Sequence, residues 1–563
     1  MLGGLLRLYA PPAEASTREA GGTRGDGRQE GRTARTHVGA GLLNCGFNGR
    51  ILNNMKKIFL NSFFTFFFAA SLFISTCEHK FSGKREARGL WVTRWDYTTA
   101  LDTTDRFRQQ GKLREIIKAA GQAGFNFIFF QVRGQADAYY RSKYEPWAAE
   151  LTGELGKDPG WDPLQYALEY AHALGLELHA WINTFTAWRG VDPPGQSEPI
   201  HMYSLHPDWV SADYWGNPME LDTGYVFFSP GIPEVRQHVS SVALDIISNY
   251  DVDGIHFDYI RYPERSRIKG YSRDSISLSL FNSEEGNPRQ LDWESWQREQ
   301  ITAFLRSFYN EAVSIRPDVK ISAAVIGKYK RPGWNGYYEV YQDPIKWLDE
   351  GIIDFIVPMI YWRIGEGVSA FNEVAAEWLF LNPGVRPVFP GIAVYKAEGR
   401  FKWGWREIWR QVRISRDLDM GGFVFFSSRG LEGNWELIKN KVFPYRSLFP
   451  GMPWKDAIPP NPPLNLEASR VSEEAVKLIW EAPTRSGDGD SASYYVVYRS
   501  ENLPLKMDTA EDILTVVYTN KSIDSLVEGT ATYYYAVSAV DKGGNESEIS
   551  NIVEVTAPFF VKK

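Results

Sequence analysis

Residues 254–263 read Gly-Ile-His-Phe-Asp-Tyr-Ile-Arg-Tyr-Pro, and this stretch decides the fold. Ile255 and Phe257 alternate with other residues as in a buried strand, whose end delivers Asp258 into a cluster of Tyr259, Arg261 and Tyr262. A carboxylate at a strand's carboxyl end, flanked by aromatics and one arginine, is how many sugar-cleaving barrels present a catalytic acid. The question is then whether further strand–helix units surround it.

They do. Short apolar runs occur at residues 89–94, 125–133, 176–183, 252–260, 320–327, 354–362, 387–395 and 421–428. Segments of helical period lie between them, at 113–123, 163–174, 233–249, 293–315, 345–349, 368–379 and 405–418. Eight such units in series predict an α/β fold, a (β/α)8 TIM barrel, over residues 84–450. The connections after the third and fourth strands are long, and extra length there builds a substrate cleft.

Pro459-Pro460-Asn461-Pro462-Pro463 is a stiff extended stretch that ends a linker assigned to residues 451–463. Beyond it the hydrophobic period becomes two. The segments LNLEAS (464–469), KLIWEAP (477–483), YYVVYRS (494–500), TYYYAVSAVDKGGNES (532–547) and NIVEVTA (551–557) resemble a fibronectin type III domain. Trp480 takes its early core position and Tyr533 to Val537 its late-strand signature, so an all-β sandwich is expected over 464–557. Such a module supports display or weak binding and has no catalysis of its own.

At the other end, residues 1–54 are rich in Gly, Arg and Thr and read as disordered, or as a mis-called start with Met55 the true one. Lys56 and Lys57 followed by the apolar run 58–74 have the charged and hydrophobic regions of an export signal over 55–77. The run ends in Ser75-Thr76-Cys77, which resembles a lipoprotein processing site with Cys77 as the lipidated residue, although Thr76 departs from the usual small residue. The expected location is therefore the cell envelope, with membrane contact through an N-terminal lipid. The other cysteine, Cys45, also precedes the folded part, so no disulfide is available to the barrel.

The net charge of −7 argues against a nucleic-acid partner. Aromatics make up 15 % of the chain, and Trp161, Trp188, Trp215, Trp334, Trp403 and Trp405 sit beside polar residues or glycine, where exposed rings could stack on sugars. At the strand ends the candidates are Arg94 and Asp96, then Arg133 and Asp137, then His179, Trp181 and Asn183. His256, Asp258, Tyr259 and Arg261 follow, then Tyr361, Trp362, Arg363 and Glu366, with Tyr395 and Glu432 near the last two strands.

These residues fall in blocks similar to the bacterial glycosyl-hydrolase-like 10 family. The blocks are RGLWVT (88–93), FNFIFFQVRGQADAYYRSKYEPW (125–147) with LTG (151–153), DPLQYALEYAHALGLELHAWIN (162–183), DGIHFDYIRYP (253–263) and IDFIVPMIYW (353–362). The resemblance implies an exported glycoside hydrolase acting on cell-wall glycan. Two departures stand out: Thr184 follows Asn183 where the family has proline, and Tyr259 follows Asp258 where a second acid is common.

Glycoside hydrolysis ordinarily uses two carboxyl groups. Asp258 is expected to be the nucleophile or base, and Asp137 is the first choice for its partner. Asp96, Glu366 and Glu432 are alternatives that spacing does not separate. The strand-five end, Ile326-Gly327-Lys328, lacks the glutamate of amylase-type barrels. Arg133, His179, Trp181, Asn183, His256, Tyr259, Arg261, Tyr361 and Trp362 are assigned to substrate binding. His179 and His256 lack metal-ligand spacing, so hydrogen bonding is preferred to zinc ligation, and no metal or cofactor is expected. The expected substrate is a polysaccharide, with peptidoglycan strands one candidate; the competing reading is a glycan-binding scaffold without catalysis.

Overall fold

The computed structural model describes residues 83–98, 104–222, 224–382, 384, 386–472, 475–525 and 532–556. They belong to one compact unit, Phe81–Lys563. The signal segment 55–77, its Cys77 and residues 1–54 lie outside the described residues.

Eight parallel strands close into a barrel: β1 (Ala87–Val92), β2 (Phe127–Arg133), β3 (Glu177–Asn183), β4 (Gly254–Asp258), β5 (Lys320–Ile326), β6 (Phe355–Met359), β7 (Gly391–Ile392) and β8 (Gly422–Phe426). Each pairs with the next, and β1 pairs with β8 from Ala87↔Gly422 to Trp91↔Phe426. Every residue of β2, β3 and β5 is buried, as expected when helices cover the outside and side chains fill the inside. The helices Pro233–Asn249 and Trp293–Ile315 match their predicted bounds, and the first opens on proline, whose missing N–H costs nothing in a first turn.

The interior is filled in layers. At the base Phe127, His179, Phe355 and Phe389 meet Phe449, a residue beyond the last strand that plugs the end of the barrel. Gly89 and Gly254 make room for this layer: a Cβ on either would lie within 2.4 Å of the Phe127 ring or the His179 imidazole. One layer higher, the His256 ring stacks on Phe129 at 3.6 Å between centroids. The Trp91 indole donates to His256 Nε2 (3.3 Å), so Nδ1 carries the proton toward Ser322 Oγ (2.9 Å). Burial pushes this imidazole far down in pKa, so it stays neutral.

The C-terminal module is a sandwich. One sheet holds strands Leu464–Arg470, Ala475–Glu481 and Lys521–Ser525; the other holds Ile513–Val517, Tyr494–Ser500, Thr532–Val540 and Val553–Thr556. Trp480, Val497, Tyr535 and Val537 form its inner core. The opposite face of the larger sheet is also covered, because Tyr494, Val496 and Tyr498 pack with Leu448 from the barrel's last connection. The module sits at the amino-terminal ends of the strands. Its Lys542 carbonyl accepts from Lys320 at the start of β5, and its Glu546 pairs with Lys84 just before β1. The carboxyl-terminal rim lies at the opposite end of the strands.

Candidate active site at the carboxyl-terminal rim

At the end of β4 the chain turns sharply. Tyr259 has φ of 49°, and its amide donates to Asp258 Oδ1 at 2.7 Å. The Asp258 carbonyl accepts from both the amide (2.7 Å) and the hydroxyl (2.8 Å) of Thr184, which ties this turn to the end of β3. Burial raises the Asp258 carboxyl to about 6, against the opposing pull of the Tyr259 amide, of Arg261 and of the Trp181 indole N–H. The indole faces the carboxyl without closing a well-aligned bond.

Aromatic rings surround this acid. Tyr361 beyond β6, Tyr395 beyond β7 and Phe426 at the end of β8 lie 5.8–6.3 Å from one another between centroids, with Trp181 6.4 Å from Phe426. On the other flank Tyr225 and Phe227 pack on Tyr259, and Arg261 lies over both Tyr259 (4.8 Å) and Phe227 (5.6 Å). Among the described residues, the hydroxyls of Tyr361 and Tyr395, Trp181 Nε1 and Arg261 Nε are buried without hydrogen-bond partners. Buried polar groups in native proteins are rarely left so, and clustered around one acid they form a hydrogen-bonding lining for a polar ligand.

Asp137, the acid expected to act with Asp258, lies just beyond the end of β2. It is fully buried, its Oδ1 held by the amides of Gly134 (3.2 Å) and Gln135 (3.0 Å) and 3.8 Å from Arg94 Nη1. Burial lifts it to about 6 while Arg94 opposes the rise. Arg94 in turn reaches Glu150 (3.8 Å) and donates to the Tyr225 hydroxyl (3.3 Å). The acid expected to flank the scissile bond is thus buried beside an arginine.

Arg133 is fully buried, gripping both Glu145 oxygens and the carbonyls of Asn183 and Thr184. Burial opposes ionisation of Glu145, but Arg133 and then His238, whose Nε2 it meets at 2.9 Å, hold it down to about 2. Asn183 donates its Nδ2 to the Gly134 carbonyl (2.9 Å) and accepts at Oδ1 from Gln131 Nε2 (3.2 Å), so it too braces the strand ends. His179 and His256 line the barrel's base and middle, packed among aromatic rings. Trp181, Tyr259, Arg261 and Tyr361 do converge on Asp258, and Trp362, half-buried, lies 5.6 Å from the Lys328 ammonium.

Of the alternative acids, Asp96 accepts from the Ser428 hydroxyl at 2.6 Å and ties β1 to β8, while Glu432 pairs with Lys112 and Glu366 caps the Arg363 amide. Among the tryptophans singled out in sequence, Trp161 is core and Trp215 is 77 % exposed. Tyr225 and Phe227 were not anticipated. They lie on a hairpin, Thr186–Arg189 paired with Tyr225–Phe227, inside the long connection after β3. The alternation in Tyr225-Val226-Phe227 is their only sequence signal.

A (β/α)8 barrel with a buried aspartate at the end of β4 places the chain in the general class of TIM barrels, whose active sites lie at this rim. The profile of the glycosyl hydrolase-like 10 family matches residues 86–403, and this chain belongs to that family; a fibronectin type III domain matches residues 461–556. The glycosyl hydrolase YngK of Bacillus subtilis is 27 % identical over 501 residues, 83 % of this chain and 92 % of its own. The glycosyl hydrolase DigH of Escherichia coli K12 is 28 % identical over 339 residues, 55 % of this chain and 73 % of its own. Among solved structures, the PgaB glycoside hydrolase domain of Bordetella bronchiseptica aligns with a TM-score of 0.46 at 13 % identity, over 63 % of this chain and 98 % of that one.

Proposed function

We propose that the protein is an exported glycoside hydrolase cleaving a polysaccharide of the cell envelope, with peptide-free peptidoglycan strands the first candidate. The observation that carries this reading is the Asp258 carboxyl: raised to about 6, enclosed by aromatic rings, and faced by buried hydrogen-bonding groups without protein partners. From sequence Asp258 is a nucleophile or base. A carboxyl that keeps its proton close to neutral pH is better suited to proton donation, so its role here is general acid toward the departing glycosidic oxygen. Asp137 takes a positioning role. It holds Arg94, Arg94 holds Tyr225, and Tyr225 packs on Tyr259 beside the acid. Export and lipid attachment at Cys77 complete the proposal, supported by Lys56, Lys57 and the apolar run after them.

One observation favours a second reading, glycan binding without cleavage. Among the described residues the charged side chain that pulls on Asp258 is that of Arg261, while the acids expected as its partner are engaged by other groups, Asp137 by Arg94, Asp96 by Ser428, Glu432 by Lys112 and Glu366 by the Arg363 amide. The two readings part in one experiment. Purified protein is incubated with peptide-free glycan strands, chitooligosaccharides and α-glucans, and both product masses and binding isotherms are recorded. Shortened products support hydrolysis; saturable binding without products supports the second reading; neither result sinks both.

A further inference from the structure

Just past β7 the chain makes a single helical turn, Val394–Lys396, on the same rim as Asp258. Lys396 is 7 % exposed. Its ammonium donates to the Tyr361 carbonyl at 2.7 Å and lies 4.7 Å from the Trp403 ring centroid, 5.1 Å from that of Phe401 and 5.8 Å from that of Tyr395. The chain builds this cage by folding back. The Trp403 amide donates to the Lys396 carbonyl (3.0 Å), and the Gly404 amide to the Ala397 carbonyl (2.8 Å). Phe401 and Trp403 are half-buried, so one side of the cage meets solvent.

A buried lysine is normally paired with an acid, because a charge taken out of water is costly unless an opposite charge meets it. Among the described residues Lys396 forms no ion pair. Glu366 acts on it from beyond ion-pair distance and accepts from the Arg363 amide (2.6 Å). Glu398 accepts from the Trp405 indole (2.9 Å) and from Asn434 (3.2 Å). Aromatic faces attract a cation but offer its N–H groups no lone pair; an ammonium has three such donors, and the Tyr361 carbonyl takes one. Burial lowers the Lys396 ammonium to about 8 against the pull of Glu366, so it still holds its proton at neutral pH.

The position of this cation ties it to the acid. The carbonyl it holds belongs to Tyr361, and the residue before it is Tyr395, the two tyrosines whose hydroxyls are buried without partners. Burial, then Tyr395 and Asp258, push the Tyr361 hydroxyl far up in pKa, so it remains a donor. An ammonium with unused donors therefore adjoins two unpartnered hydroxyls and an acid that acts on one of them. Hydroxyls suit the ring oxygens of a sugar, and the ammonium suits an anionic group carried on it.

We propose that Lys396 is a specificity-determining residue that binds a carboxylate carried by the glycan, so that acidic glycans are preferred to neutral ones. This rests on the glycan-cleaving reading above. A carboxylate supplies both the missing charge and the missing acceptors, and charge-assisted hydrogen bonds are roughly twice as strong as neutral ones. A neutral sugar at the same place leaves the donors unpaired, and a site built around a polar group discriminates sharply against an analogue that lacks its partner.

The test uses the full chain and two substrates that differ at the carboxyl group alone: peptide-free glycan strands with free carboxylates, and the same strands with those carboxyls reduced to alcohols. Wild type is expected to show a dissociation constant, and a KM where products form, about tenfold or more lower for the carboxylate-bearing strands. Lys396→Met, which keeps the aliphatic stem among the rings, is expected to raise both constants for the acidic strands to those for the reduced ones. Lys396→Gln is expected to erase the difference in the same way. Melting temperature is expected to hold or rise in both variants, since a buried unpaired charge has gone. Equal affinity of wild type for the two strands overturns the assignment and leaves glycan cleavage standing. So does a difference that persists in both variants, and so does loss of fold in both, which would make the lysine structural. A wild type that neither binds nor cleaves either strand removes the glycan reading and the assignment together.

Discussion

The His172 imidazole lies flat against the Tyr518 ring, centroids 4.8 Å apart and 10° from parallel, while its Nε2 meets Asp253 Oδ2 at 2.9 Å. His172 and Asp253 belong to the barrel and Tyr518 to the module, so the junction carries a titrating contact. Burial works against the charge on each, but Asp253 and Asp251 raise the His172 pKa on balance, and His172 followed by Lys320 lowers that of Asp253. The stability due to the raised histidine is fully present below its unfolded value of about 6.5 and is lost as pH climbs through the folded value. That due to the depressed aspartate is present above about 3.9 and is lost as pH falls through the folded value. Melting temperature is therefore expected to decline as pH rises above neutrality, and His172→Gln is expected to flatten that decline by a few degrees. Parallel slopes in the two proteins would rule out this contact as the cause.

The Arg133–Glu145 pair supports the ends of β2 and β3 from within. Removing one partner leaves a buried charge uncompensated, so Arg133→Met is expected to lower stability by about 3–5 kcal/mol in chemical denaturation. A substrate-binding arginine would instead alter KM with little change in unfolding. That outcome would return Arg133 to the binding surface.

Asp258→Asn keeps the shape of the acid and removes its proton chemistry. Turnover is expected to fall about 10²–10⁴-fold with the melting temperature nearly unchanged and glycan binding retained. In wild type, kcat/KM is expected to fall above an apparent pKa near 6, where Asp258 loses its proton. A profile that rises through pH 6 would instead make Asp258 a base or nucleophile, as its place in the sequence first suggests.

The Tyr361 hydroxyl is buried without a partner, so Tyr361→Phe removes nothing the folded chain uses. Stability is expected to hold or rise slightly, while KM for the glycan rises by about tenfold or less, the worth of a single hydrogen bond. An unaltered KM would show that this hydroxyl faces no substrate.

Cys77→Ala is expected to move the protein from membrane to soluble fractions on cell fractionation. Unchanged membrane association in that variant would point to an uncleaved helical anchor.

The barrel was legible in the chain because its signal is local. Each strand is a run of buried residues between helices of helical period, and Asp258 declares itself as the last residue of such a run. What sequence left hidden was depth and partnership. His179 and His256 share β3 and β4 with residues of the rim, but alternation of period two identifies the inward face and not the layer; that depends on the stagger pairing His179 with Gly254. Arg133 reads as a rim cation because it ends β2, and Glu145, which engages it, lies on an irregular segment that no periodicity places. The hairpin carrying Tyr225 and Phe227 was obscure for the same reason, since its two short strands find each other across a long connection.

The ring closes where β1 meets β8, residues 87–91 against residues 422–426, while the family profile ends at residue 403. On a growing chain β1 is among the first strands to emerge, and its second neighbour is the last barrel strand made. Through that interval Leu90 and Trp91, fully enclosed in the finished protein, have an open flank, and the Phe449 plug arrives later still. Long-range closure of this kind is slow and leaves strand edges open to mispairing. A chain cut at the end of the family match would therefore keep a bare edge on β1 and be a candidate for aggregation rather than a smaller enzyme.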